Sequence, residues 1–358
     1  MRKRLNFLQI ARCLAAVMVV MHHADRILLQ KYQISALIFQ PFDYPFARVD
    51  LFFVLSGFII YYIHNQDFST QSKLSPFLIK RFVRVIPVYW LATLIYILLS
   101  IVAHEHFTAL EFVKSFLLLP DVKQPILGVA WTLRYEVFLY LVFGLLILNK
   151  RWFMPLLGVW TAAMLYFLAA GITFAEQPYF DLLFNPLNLE FIAGCVAAHI
   201  ILRYMMNLTV VGYVGLGLLL VSLIMQQLWT IPLNHIILWG GPFFLIILGF
   251  ASYELRKTIK VNKWLVAIGD ASYSIFLTHI IVILCFRNVS DKLHLYVKTG
   301  HPIFLAVFVC IIAVCVGCAF YKVVEKPVLH WLRKHVVDRT LQSQSKRRIA
   351  VPSENQSV

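Results

Sequence analysis

Two ionisable residues, Arg12 and His23, interrupt the first apolar stretch of the sequence. Eleven residues at about 100° each make about three helical turns, which predicts both side chains on one helix face, about 16 Å apart along the axis. A guanidinium binds phosphate, and an imidazole acts as a general base near neutral pH. Both side chains must face protein or a water-filled cavity. In the alternative, His23 is only a hydrogen-bonding residue in helix packing.

A carboxylate follows near the start of the fourth apolar stretch, in the segment WTLRYE that runs from Trp131 to Glu136. Glu136 is about two turns into this stretch, and His23 is about two turns from the same end of its own. The matching depth allows a His–carboxylate pair, in which Glu136 orients and charges the base. In the alternative, Glu136 only pairs with Arg134 or another buried base.

Further basic residues precede the third apolar stretch, where Arg81 and Arg84 flank Phe82 and Val83. Bases at this position are ordinary on the cytoplasmic side of a membrane helix. Together with Arg12 they would also suit a phosphorylated cytoplasmic ligand, because guanidinium groups bind phosphate bidentately. A later stretch contains Asp270 and His279, for which a structural and a functional role stay equally open.

The composition indicates that all of these residues belong to a membrane protein. Of 358 residues, 61% are hydrophobic and 14% charged, and the mean hydropathy is +0.78. Apolar runs of about 20 residues recur along the chain, which predicts an all-α, polytopic transmembrane helical bundle of about ten spans. We expect one transmembrane domain over 1–323 and a cytoplasmic, partly disordered tail over 324–358. The spans are predicted at 5–29, 47–64, 85–103, 129–149, 152–170, 186–206, 209–229, 231–251, 265–286 and 303–323.

The charge distribution predicts orientation. The formal net charge is +15, but most Lys and Arg residues fall in alternate loops and the tail, which predicts that both termini are cytoplasmic and argues against nucleic-acid binding. The N-terminal stretch is interpreted as a retained first span, not a signal peptide. All six cysteines lie in apolar stretches, including the pair Cys315 and Cys318, so we expect neither a metal site nor a disulfide framework.

Six short motifs recur in the order and spacing of a known family. They are Arg12 and His23 with ten residues between them, Phe-Phe-x-x-Ser-Gly-Phe at Phe52 to Phe58, Arg-x-x-Arg at Arg81 and Arg84 before Pro87, Trp-x-x-x-x-Glu at Trp131 and Glu136, Ser-Tyr-Ser-x-x-Leu-x-His at Ser272 to His279, and Glu-x-Pro at Glu325 to Pro327. The sequence thereby resembles the membrane-bound acyltransferase family 3, over about Leu5 to Pro327. The segments WTLRYE, NPLNLEFIAG and GDASYSIFLTH are most similar to its exopolysaccharide and O-antigen branch. Arg134, where relatives more often carry an uncharged residue, is a departure that could alter acceptor choice.

The resemblance implies an enzyme of the bacterial inner membrane that transfers an acyl group, commonly acetyl from acetyl-CoA, to a sugar hydroxyl of a surface polysaccharide or its lipid-linked precursor. His23 would be the general base or a transient acyl carrier, with Glu136 orienting it. Arg12, Arg81 and Arg84 would hold the phosphates of acyl-CoA, which binds as donor substrate, and no cofactor is expected to be bound permanently. Other substrate-contacting residues would be Trp131, Arg134, Tyr273 and His279.

Two other classes of protein stay open at this level. A transporter or flippase for a lipid-linked glycan would also carry intramembrane charges, although the inverted repeat with broken helices that is typical of transporters is not visible. A membrane sensor or scaffold would leave the matching depth of His23 and Glu136 unexplained.

Overall fold

The computed structural model describes residues 3–29, 47–102, 104, 106–228, 234–295 and 301–338, and these ranges are helical without a strand. Eight of the helices are long and apolar enough to cross a membrane. The longest, 131–169, is divided at Asn149 (φ −159°, ψ 96°) into two parts, each long enough to cross a membrane, which gives nine spans. The 18-residue helix 47–64 is the tenth. The expected bundle of about ten spans is confirmed.

The helices are α1 (Asn6–Ala24), α2 (Ala47–His64), α3 (Leu74–Val102), α4 (Ala109–Phe116), α5 (Trp131–Ala169), α6 (Pro178–Phe184), α7 (Leu187–Tyr204), α8 (Thr209–Leu228), α9 (Gly241–Arg256), α10 (Lys263–Asp270), α11 (Ser272–Leu293), α12 (Pro302–Phe320) and α13 (Lys326–Leu332). Turns of π-helix lie at Asp25–Leu29, Ile236–Gly240, Tyr321–Glu325 and Arg333–Val337.

Helix α1 begins on a carboxylate from another helix. Its N-cap residue, Leu5, has no side chain that can accept a hydrogen bond. The buried Glu254 of α9 accepts the backbone N–H groups of Asn6 and Phe7 at 2.8 and 2.7 Å. Because a helix N-terminus carries unpaired N–H groups and partial positive charge, this contact satisfies two donors and fixes where α1 starts.

Helices α2 and α7 cross at two glycines. A Cβ on Gly57 would lie 1.9 Å from the carbonyl oxygen of Phe191, and a Cβ on Gly194 would lie 2.0 Å from that of Val54. The backbones therefore approach more closely than any larger residue allows, which is the packing expected of small residues in membrane helices. Gly57, in the motif from Phe52 to Phe58, therefore lies at a close helix crossing.

We expect Gly57→Ala to destabilise the bundle by about 2 kcal/mol or more, because the added methyl group must displace backbone atoms. Gly217→Ala on α8 is the matched control, since a Cβ there would meet nothing within 4 Å. Thermal unfolding of the two purified variants in one detergent checks this. Equal melting temperatures for the two variants would contradict the close crossing of α2 and α7.

Three spans differ most from the sequence-based prediction, and the predicted span 231–251 also ends later, at Arg256. Helix α3 begins at Leu74 and not near 85, so Arg81 and Arg84 lie inside it. The predicted span 265–286 is two helices, separated at Ala271 (φ −84°, ψ 0°). The first of these, α10, lies directly against α1, since a Cβ on Gly269 would lie 2.1 Å from the carbonyl oxygen of Gln9. The final helical segment runs to Val337, beyond the predicted boundary at 323, because hydropathy does not register a helix that continues past the apolar run. The last dozen residues, which we expect to be disordered, lie outside the described ranges.

Candidate active site

A cavity of about 420 Å³ lies between α1, α2, α3, α5 and α11. It reaches from Lys3 and Arg4, at the predicted cytoplasmic end, to Val49 and Thr132 toward the other end. Most of its walls are apolar, so the polar groups that enter it are conspicuous and few. These groups include Arg12, Arg81, Arg84, Glu136, Tyr140 and Tyr273.

Three guanidinium groups face this cavity without a protein partner. Within the described ranges, no hydrogen bond or ion pair holds Arg12, Arg81 or Arg84, and the Nε of Arg81 is buried without an acceptor. Arg81 instead lies over the rings of Phe77 and Tyr140, with its Cζ 5.7 and 5.9 Å from the ring centroids. Buried cations are normally paired, so the arrangement indicates a place for an anionic ligand. The structure thus brings together the three arginines predicted to form one phosphate site.

Glu136 also lines the cavity, but its partner is not His23. Its Oε1 accepts a hydrogen bond from the hydroxyl of Tyr140, one turn along α5. No contact with His23 is found for it in the part of the chain that the structure describes. The structure therefore places Glu136 beside the arginine site and does not join it to the imidazole that it was expected to orient.

One partner of His23 is a second histidine. Its Nδ1 lies 3.2 Å from Nε2 of His279 on α11, and the two rings are 4.9 Å apart. Nδ1 of His279 lies 3.1 Å from the carbonyl oxygen of Ile275, and Nδ1 of His23 lies 3.0 Å from that of Val19. Each imidazole therefore contacts the carbonyl four residues back in its own helix, and the pair links α1 to α11.

One assignment of the ring protons satisfies all of these contacts. A carbonyl oxygen only accepts, so Nδ1 of His279 carries the hydrogen and donates it to Ile275, leaving the lone pair on Nε2. That lone pair accepts the Nδ1–H of His23, which it shares with the carbonyl of Val19. Neutral His23 consequently carries its basic lone pair on Nε2, as a general base requires. The exposed fraction of His279 is 0%, so this residue is suited to hold His23 and not to contact a substrate first.

Aromatic rings separate the His23–His279 pair from the cavity. Neither histidine is part of the cavity walls, but Phe276, one turn before His279 in α11, is part of them. Its ring is 6.1 Å from that of His279 and 6.2 Å from that of Phe52. Phe52 belongs to the Phe-Phe-x-x-Ser-Gly-Phe motif and also lines the cavity. A ligand in the cavity is thus one ring away from the imidazole pair.

Two other residues predicted to contact substrate have structural partners. The hydroxyl of Tyr273 donates to the carbonyl of Val85 at 2.8 Å while its side chain lines the cavity. Trp131, at the start of α5, packs edge-on against Tyr135 with ring centroids 5.9 Å apart. Tyr273 can meet a ligand in the cavity, whereas Trp131 is not among the lining residues.

Arg134 holds a loop. Its guanidinium donates to the carbonyls of Asp121 and Lys123 at 2.9 and 3.0 Å. Lys123 in turn lies 2.9 Å from Glu111, and this hydrogen bond, with those from Thr108, lowers the pKa of Glu111 to about 2. The Lys123–Glu111 pair therefore stays ionised at physiological pH. These contacts give Arg134 a structural task, and its predicted influence on acceptor choice stays a prediction.

Two polar residues near the arginines were not assigned a role from the sequence. Oγ of Ser274 donates to Oε2 of Glu325 at 2.5 Å, and both are buried. The two residues belong to separate motifs of the family resemblance, and only the fold joins them. Tyr140, the partner of Glu136, could have been found from its spacing, since residues four apart lie on one helix face.

Comparison with known proteins identifies the family. The sequence profile of acyltransferase family 3, described as an acyltransferase domain, matches residues 5–322. The chain belongs to acyltransferase family 3. A similar curated protein is the exopolysaccharide production protein ExoZ of Rhizobium meliloti (strain 1021), which is 29% identical over 297 residues, covering 79% of this chain and 89% of the relative. No solved structure shows a significant match.

Membership in family 3 gives the cavity its chemical context. The protein is a multi-pass membrane acyltransferase, and the matched range contains all the residues of the cavity and of the His23–His279 pair except Lys3 and Arg4. An acyltransferase needs a place for an acyl donor and a base for the acceptor. In the described part of this family 3 protein, the arginine-lined cavity and the imidazole pair are candidates for these two tasks.

Proposed function

We propose that the protein transfers an acyl group, in particular acetyl, from acyl-CoA to a sugar hydroxyl of a surface polysaccharide or its lipid-linked precursor. The observation that carries the donor assignment is the set of three guanidinium groups without protein partners in one cavity. Coenzyme A offers phosphates to such groups. Its pantetheine arm then lies against the apolar walls formed by Phe52, Phe53 and Ile59.

The position of the cavity supports a cytoplasmic donor. Its mouth is lined by Lys3 and Arg4, next to the terminus predicted to be cytoplasmic. With Arg12, Arg81 and Arg84 around the phosphates, the thioester points toward Phe276 and the imidazole pair. We infer that the protein resides in the bacterial inner membrane with both termini in the cytoplasm, where acyl-CoA is available.

In the proposed reaction, Nε2 of His23 takes the proton of the acceptor hydroxyl. The sugar oxygen forms a bond to the thioester carbonyl carbon, the carbon–sulfur bond breaks, and the coenzyme A thiolate leaves and receives a proton. His279 holds His23 in the required tautomer. Glu136, held by Tyr140, balances part of the positive charge of Arg81 in the donor site.

The acceptor assignment rests on the relative. ExoZ is an exopolysaccharide production protein and aligns over most of both chains. A sugar hydroxyl is a weak nucleophile and needs a base of the kind that His23 provides. We therefore propose a polysaccharide or its lipid-linked precursor, and not a protein or a lipid, as the acyl acceptor.

The test is direct transfer. Purified protein in lipid nanodiscs is incubated with radiolabelled acetyl-CoA and extracted membrane glycolipid, and we expect label in an alkali-labile ester on the glycan. Acetyl phosphate in place of acetyl-CoA should give no product. In proteoliposomes, movement of the glycan across the bilayer without covalent change would overturn the proposal in favour of a transporter.

A further inference from the structure

A second polar cluster lies outside the cavity, where the beginnings of α2, α7 and the π-turn before α9 meet. It consists of Asp50, Glu190 and His235, and one ligand atom from each lies within 4.8 Å of the others. The exposed fractions of Asp50 and Glu190 are 0% and 1%. None of the three lines the cavity, although their chain neighbours Val49 and Phe191 do. Helices α2 and α7 therefore separate the cluster from the donor site.

Glu190 lacks the partners that a buried carboxylate requires. Its polar neighbours in the described structure are the carboxyl group of Asp50, close enough to share a proton, and Nδ1 of His235 at 3.9 Å from Oε1, and no hydrogen bond from an N–H group reaches either of its oxygens. No Lys or Arg of the described chain forms an ion pair with it. Because an unpaired carboxylate is strongly unfavourable in a low-dielectric interior, the side chain needs an external positive charge or a proton.

The spacing within the cluster is that of ligands around an ion. Nδ1 of His235 lies 3.3 Å from Oδ2 of Asp50. The hydrogen-bonded pair of His64 and Asp67 in the same protein is at 2.7 Å, the usual length for charged partners. Ligands at about 2.1 Å from a metal lie about 3.0–3.4 Å apart in octahedral or tetrahedral geometry. Asp50 and His235 thus form a long hydrogen bond, and the same spacing is the one that two ligands of a shared cation would have.

The backbone leaves room for this arrangement at Gly240. A Cβ at this position would lie 2.9 Å from Oε1 of Glu190. Any larger residue would push the carboxylate out of the cluster. Gly240 is the last residue of the π-helical turn Ile236–Gly240, and His235 directly precedes this turn. One short segment therefore provides the His235 ligand and the space for the Glu190 carboxylate.

We propose that Asp50, Glu190 and His235 bind one divalent transition-metal ion, Zn²⁺ or Mn²⁺. The imidazole nitrogen favours such an ion over Mg²⁺ and Ca²⁺, which prefer oxygen ligands throughout. Two carboxylates and a divalent ion are together neutral, which removes the cost of burying the charges. The ion links α2, α7 and α9 at the end of the bundle opposite Arg4, and it supports the cavity wall through Val49 and Phe191. No metal site was expected from the sequence.

The test uses tag-free, full-length protein purified in detergent, stripped with EDTA and dialysed against Zn²⁺ or Mn²⁺. We expect about one ion per chain by mass spectrometry and a rise in melting temperature of about 5 °C at saturating metal. Glu190→Gln keeps the shape but removes the charge, and should lower bound metal at least tenfold. Glu176→Gln, in an exposed loop, is the matched control and should bind as the native chain does.

Two results would overturn the proposal. One is native protein that binds no ion and melts at the same temperature with and without metal. The other is Glu190→Gln that retains metal. If Glu190→Gln does not fold, Mn²⁺ titration of the native chain followed by electron paramagnetic resonance decides the question alone. If the native chain binds nothing and Glu190→Gln is more stable than it, Asp50 and Glu190 share a proton instead.

Discussion

His23→Ala should lower the rate of acyl transfer about 10²–10⁴-fold, the range that general-base catalysis contributes, while the protein still inserts and folds. The reason is that, in the tautomers that satisfy the contacts of the pair, Nε2 of His23 carries the basic lone pair and His279 donates its hydrogen to Ile275. Initial rates with radiolabelled acetyl-CoA measure the loss of acyl transfer, and the melting temperature of the variant shows whether it still folds. Undiminished product would remove His23 from the mechanism.

Two further histidine variants separate chemistry from packing. His279→Gln keeps an oxygen that can accept the Nδ1–H of His23, so it should retain more activity than His279→Leu. Both should change kcat and leave the donor KM unaltered, because His279 is not part of the cavity walls. His199→Gln is the control, since His199 contacts Tyr61 elsewhere in the bundle. Equal loss in all three variants would show a general packing effect.

Arg81→Met should raise the KM for acetyl-CoA about 10- to 100-fold, the factor expected for one lost charge-assisted hydrogen bond to a phosphate. The same substitution should not lower the melting temperature of the donor-free protein and should raise it slightly. Met fills a similar volume, and the Nε of Arg81 is a buried donor without a partner. The opposite signs of the two effects distinguish a ligand-binding arginine from one that holds the fold together.

Lys80→Met is the matched control for Arg81→Met. Lys80 precedes Arg81 in α3 but is exposed, so its loss should change neither quantity. Arg81→Lys should restore only part of the donor affinity, because an ammonium lacks the two-pronged geometry of guanidinium. A donor KM that is the same in Arg81→Met and the native enzyme would contradict the phosphate site.

The arginine site shows how far sequence reasoning reached. Arg12, Arg81 and Arg84 were grouped because guanidinium groups in or near membrane spans need a reason to be there, and they do share one cavity. They line it together although the start of α3 was predicted about eleven residues too late, and their role in binding phosphate stays a prediction. Charge type and approximate depth were sufficient, because an unpaired cation in an apolar bundle can only turn toward water, a ligand or an acid.

Glu136 shows where the same reasoning failed to reach a contact. The sequence predicted that His23 and Glu136 lie at the same depth in the membrane, but depth is only one of the coordinates that place a side chain. Their rotation about the bundle was not determined, and the fold places Glu136 against Tyr140 and His279 against His23. Asp50, Glu190 and His235 were missed for a related reason. They lie far apart in the sequence, and only the α2–α7 crossing at Gly57 brings two of them together.

The sequence by itself determined the helical class, the approximate number of spans, the family and the residue types of the site. These follow from local rules, since a lipid bilayer requires about 20 apolar residues per span and makes every charge within a span costly. The tertiary structure alone decided which helices touch, which side chain lies against His23 and which carboxylates meet. Those depend on helix rotation and on close contacts such as Gly269 with Gln9, which arise between segments far apart in the chain.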